Sequence, residues 1–139
     1  MKTRFSPLVK LKKNSMQKSE QFLQKANANL NSAKTALELS YVLLKDIESP
    51  KNGTIGDMLA SRTLFHSQRE VINHNKGWVD FAANQVEQAR KQLKLDMIEH
   101  EKFQYLELQE IKQELKKVKA KESKDLDEVA LMTFIGKNR

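Results

Sequence analysis

From residue 9 onward the apolar positions climb a seven-residue ladder: Val9, Met16, Leu23, Leu30, Leu37 and Leu44. Three residues after each of the last five rungs stand Ser19, Ala26, Ala33, Ser40 and Ile47. Alternating steps of three and four, held this long, predict one amphipathic helix with a coiled-coil seam. Most of the second series is small, which favours one closely approaching neighbour. Ser6 and Pro7 mark the start, with Ser6 as the cap and Pro7 where a missing amide proton costs nothing.

The stretch "SPKNGTIGD" at 49–57 then gathers one of the two prolines and two of the four glycines. Pro50 is expected to stop the first helix, and Lys51-Asn52-Gly53 to supply a turn with positive φ available. Thr54-Ile55-Gly56-Asp57 has the form of a capping box that opens a second helix. That helix carries a seam of Ile72, Val79, Ala82, Val86, Ala89 and Leu93. The seam turns polar near His100 to Gln104. A new apolar series follows at Leu108, Ile111, Leu115 and Val118, then Val129 and Met132, and Gly136 is expected to end the helix. Gly77, in "NHNKGW", costs about 1 kcal/mol relative to alanine inside a helix. It allows either a continuous helix with a slight bend or a true break.

The predicted fold is all-α. Two long helices form an antiparallel coiled-coil hairpin in a single domain, 1–139, with the second helix longer than the first. The first helix covers about 7–48, the turn 49–56 and the second helix about 57–135. A short link between long amphipathic helices makes them antiparallel neighbours. Folding at residue 52 or 53 pairs positions whose numbers add to about 105. Leu23 then faces Ala82, Met16 faces Ala89, and the second helix runs alone beyond about residue 98. Its overhang keeps apolar stripes, which gain stability only by burial. Another protein, a second copy or the hairpin itself could cover them, or the arm frays when alone.

Composition narrows the class further. Aromatic residues make up 6% and charged residues 31%, the profile of a long helix. There is no cysteine, hence no disulfide framework or thiolate metal site. The basic start "MKTRFSPLVKLKK" lacks the apolar core of a secretion signal, and no apolar run reaches the ~20 residues of a membrane span. A cytoplasmic location is expected.

The net charge of +7 favours acidic partners. Lys10, Lys12, Lys13 and Lys18 are expected beside Arg90, Lys91 and Lys94 at the end away from the turn, as a docking surface or simply as solvated charge. Near the turn, "LELSYVLL" at 37–44 has more apolar residues than its seam uses. Leu39, Tyr41 and Val42 therefore stand either as a contact face or as ordinary scattered exposure. The overhang positions Leu108, Ile111, Leu115 and Val118 form a third candidate surface.

Chemistry is sparse. No phosphate loop, cysteine nucleophile or serine elbow occurs. His66, Glu70 and His74 share a helix face, but no further ligand joins them, so solvated side chains are the better reading. Trp78 fits the flank of the seam, and a base-stacking role would need aromatic company. No enzyme activity, cofactor or metal is expected.

The start "RFSPLVKLKK", the turn "NGTIGDMLASRTLF" and the end "LDEVALMTF", in that order in a basic chain of this length, resemble the flagellar FliJ family along essentially the whole sequence. The resemblance implies an antiparallel coiled coil similar to the stalk of rotary ATPases, in the cytoplasmic part of the flagellar type III export apparatus. It implies association with the hexameric export ATPase FliI, contact with the export gate protein FlhA, and escort of export chaperones. Peripheral placement at the inner membrane face, through the apparatus, follows from the same likeness. The family has no catalytic residues to carry over. The monomer or weak self-association is expected, and no specific nucleic acid. The equivalent stalk of a virulence injectisome, or a basic coiled coil binding nucleic acid or anionic membrane, are the alternatives.

Overall fold

The computed structural model describes residues 2–47 and 53–137. Two helices account for nearly all of them: α1, Ser6–Asp46, and α2, Ile55–Lys137. The second is the longer, as the sequence predicts. The proposed stop at Pro50 and the Lys51-Asn52 turn lie outside the described residues.

Both starts are set by local hydrogen bonds. At α2 the capping box forms reciprocally: the Asp57 amide donates to Thr54 Oγ1 (3.3 Å) and the Thr54 amide to Asp57 Oδ2 (3.2 Å). Gly53 serves this cap through space rather than through dihedral freedom. No described glycine has a positive φ, whereas a Cβ at Gly53 would stand 2.9 Å from Asp57 Oδ2. At α1 the cap moves one turn earlier than Ser6. The Phe5 amide donates to Thr3 Oγ1 (3.2 Å), and the Thr3 amide donates to Ser6 Oγ (3.0 Å). That arrangement leaves the Ser6 hydroxyl proton available for a partner across the helices.

Contacts divide the chain into a central unit, residues 17–95, and a terminal unit, residues 1–16 with 96–139. In the central unit the two helices run antiparallel with a seam of small side chains. Ser19, Ala26, Ala33 and Ser40 are buried on α1, and Ser61, Ile72, Ala82, Val86 and Ala89 on α2. Leu23 and Leu30 flank a cluster of Ala26, Val86 and Ala89. The seam serine Ser40 satisfies its own hydroxyl by donating to Leu37 O (2.7 Å).

The register differs from the expected one. Gln68 Nε2 donates to Ser40 O (2.8 Å) and Asn75 Nδ2 to Ala36 O (3.3 Å), so paired numbers add to 108 and 111 rather than about 105. Leu23 accordingly packs by Val86 and Ala89, not opposite Ala82. Leucine and alanine rungs repeat alike in every heptad, so they fit several registers about equally; at the observed one Gln68 and Asn75 each reach a carbonyl of α1. At this register Asp46 lies across from about residue 62. The first two turns of α2 thus project past the end of α1, leaving Ile55, Met58 and Leu59 exposed.

In the terminal unit the start of α1 lies on α2 as far as Glu110. The Phe5 and Phe103 rings are 6.5 Å apart at 43°. Ser6 Oγ donates to Glu107 Oε1 (2.8 Å), and Arg4 Nε is 3.6 Å from Glu110 Oε1. His100 is buried in the same seam. Intrachain pairing therefore reaches about a dozen residues further than the expected limit near 98, since Arg4, Phe5 and Ser6, ahead of the expected helix start, also lie on α2. From residue 112 to 136 every position is exposed.

Helix α2 is continuous through Gly77 and passes Gly136, which does not act as a left-handed cap. A Cβ built at Gly77 meets nothing within 4 Å, so alanine fits without strain. Gly77→Ala is expected to raise unfolding stability by about 0.5–1 kcal/mol through helix propensity and reduced chain entropy. Urea titration followed by far-ultraviolet circular dichroism reads the shift; an unchanged or lower midpoint would contradict it.

Candidate interaction surfaces

The cationic set falls in both units. In the terminal unit Lys12 is already engaged: its Nζ sits 3.8 Å from Glu99 Oε2 and 5.8 Å from the centre of the Phe103 ring. Lys10 and Lys13, two residues before it and one after, are exposed. In the central unit Arg90, Lys91 and Lys94 are exposed, and Lys18 shares a groove with Phe22, Gln88 and Gln92. A cation whose stem lies on a ring and whose head meets a carboxylate is partly structural. Lys10 and Lys13 have no such task among the described contacts.

The apolar face near the turn is as exposed as its off-seam spacing suggests. Leu39, Tyr41 and Val42 all face solvent, and Lys76 Nζ lies 5.9 Å from the Tyr41 ring. Sequence reasoning missed the matching residues on α2. Ile55, Met58, Leu59 and Leu64 are exposed at the same end of the central unit. Their signal was present: Ile55, Met58 and Leu59 precede the first seam position, Ser61, and Leu64 falls between the seam positions Ser61 and Phe65. Phe81 was also missed; it lines a groove with His74, Gly77 and Trp78, on the side of α2 away from the seam.

The overhang surface belongs to the terminal unit. Leu108, Leu115 and Val118 are exposed, and Ile111 is half-buried. The seam that meets α1 passes through Phe103, Glu107 and Glu110, and continuing its steps would give Glu114 and Lys117. The apolar series is one residue later throughout. One residue turns a helix by about 100°, so this stripe points away from the side that receives α1.

His66 Nε2 is 3.2 Å from Glu70 Oε1, an i, i+4 contact between two exposed side chains, while His74 belongs to the Trp78 groove. Among the described residues no group of three or more His, Cys, Asp or Glu stands close enough to hold a metal ion. No described helix is long and apolar enough to cross a membrane.

Comparison with known proteins gives one family. The model described as "Flagellar FliJ protein" matches residues 1–139, the whole chain. No curated protein and no solved structure matches.

Proposed function

The chain belongs to the flagellar FliJ family, and on that premise we propose that it links the FliI ATPase ring to the FlhA gate in flagellar type III export. The family itself is a non-enzymatic component of that apparatus. The observation that carries the reading is the match over residues 1–139, joined to a two-helix coiled coil with large apolar residues left outside its seam. In the proposed arrangement Lys10, Lys13, Arg90, Lys91 and Lys94 meet acidic surface on the ATPase. Leu39, Tyr41 and Val42, with Ile55 and Met58, meet the gate, and export chaperones are handed on between the two. The work is done in the cytoplasm, against the inner membrane face.

Capture of purified FliI by the full chain, at low and high salt, tests this beside DNA and anionic vesicles as controls. Exchanging Lys10, Lys13, Arg90, Lys91 and Lys94 for glutamate is expected to weaken FliI capture by about tenfold or more, since opposed charges become like ones. Helicity should not change, because all five are exposed. Lys12 is left in place to keep its contacts with Glu99 and Phe103. Undiminished capture by the reversed variant would overturn the docking, and equal binding to DNA or vesicles would favour a general polyanion binder instead.

A further inference from the structure

The overhang of α2 presents its apolar stripe between one wholly basic edge and one mixed edge. Taking Leu108, Ile111, Leu115 and Val118 as the stripe, Lys112, Lys116 and Lys119 follow one side at steps of four and three. Glu114, Lys117 and Lys121 lie on the other side. Helical geometry fixes these positions, at about 100° per residue. Residues 112–124 hold six lysines against two glutamates, and every one is exposed. Further along, Val129 resumes the stripe after Glu122 and Asp125 interrupt it.

Three covers can be compared on that layout. An anionic membrane favours cations on both edges and an uninterrupted apolar centre. Here both edges are largely basic, but Glu122 and Asp125 stand in the centre. A second copy laid in parallel would gain a Glu114 to Lys119 pairing, but would set Glu122 on Glu122 and Asp125 on Asp125. It would also bring two strongly basic segments together. A different helix avoids both penalties, provided that its own charges are complementary.

We infer that residues 108–129 are a docking surface for an amphipathic helix of a partner protein. That helix carries aliphatic residues at three-and-four spacing, Asp or Glu along the edge beside Lys112, Lys116 and Lys119, and Lys or Arg opposite Glu122. Apolar stripes supply adhesion, and the edge charges set partner and orientation, as in coiled coils. The inference extends the reading above to one more partner and stands apart from it. FliI capture through Lys10 and Arg90 could succeed or fail whatever happens here.

A designed helical peptide of about three heptads serves as probe: leucine at the two core positions, glutamate along the edge in question, arginine in the layer meeting Glu122. A second peptide differs only in carrying lysine along that edge. Fluorescence anisotropy with the full chain is expected to show the acidic-edged peptide binding about tenfold or more tighter than its inverse. Lys112→Glu, Lys116→Glu and Lys119→Glu together should invert the preference, and Leu115→Asp should abolish binding of both. Circular dichroism confirms that the variants keep their helicity. Equal binding of the two peptides would overturn the inference, as would a preference that survives the triple reversal. So would a doubling of mass in sedimentation that Leu115→Asp removes, which would assign the stripe to a second copy. Capture by phosphatidylglycerol vesicles dependent on the same lysines would assign it to a membrane.

Discussion

Ala33→Leu is expected to lower unfolding stability by about 2 kcal/mol, although it adds apolar surface to an apolar site. Ala33 is 0% exposed, and its neighbours along the seam are Ala26 and Ser40, also buried. The distance between packed helices depends on the side chains at their contact. A leucine in this layer has no void to enter, so it must take a strained rotamer or push α2 away and loosen the layers beside it. Phe22→Ala removes far more carbon yet should cost under about 1 kcal/mol, because Phe22 is 62% exposed. The contrast inverts the usual ranking, in which large side chains matter most. Urea unfolding of both variants measures it. A stable Ala33→Leu protein would mean that the helices are free to separate at this layer.

The second large effect concerns register rather than stability. Replacing Gln68 and Asn75 together by leucine removes two polar groups from a half-buried seam and adds apolar area, so the melting temperature is expected to hold or rise. What is lost is the bond from Gln68 to Ser40 O and from Asn75 to Ala36 O. A polar residue at a core position of a coiled coil fixes alignment at some cost in stability. Slippage by one heptad moves α2 by about 10 Å along α1. The chain has no cysteine, so spin labels at Lys34→Cys and Lys76→Cys report this distance without interference. A second, longer distance population is the expected result, with an offset smaller than the slip because the labels start across from each other and the axial step adds in quadrature. A single narrow population in the double variant would show that alignment is decided elsewhere.

The same physics explains what could be read from the sequence. Helix number, order and relative length follow from period and from the placing of Pro and Gly, which are local properties. So does the Thr54–Asp57 cap. The small-residue seam of α1 was legible residue by residue, since its layers repeat without interruption. Register was not, because apolar rungs repeat alike in each heptad and fit several alignments. The seam of α2 was read as ending at Leu93 for a related reason. A search for apolar residues passes over polar ones that occupy core positions. Continuing the steps of four and three from Ile72 outward lands on Gln68, Phe65 and Ser61 in one direction. In the other it lands from Leu93 on Asp96, His100, Phe103 and Glu107, all buried or half-buried. The rhythm itself carried the signal. At the candidate surfaces, Leu39 and Val42 were visible as off-seam apolar residues. The engagement of Lys12 was not, because it depends on Glu99 and Phe103, some ninety positions away.

The thin seam of the central unit also governs how it opens. Among the described residues none of the larger side chains is fully enclosed, so no single keystone holds the pair shut. Each turn adds a modest and similar increment, and regions of low contact density open locally before they open globally. Amide-proton exchange should therefore slow gradually along the unit instead of stepping between a rigid block and a loose one. Such a pair can be parted over a turn or two and reclose.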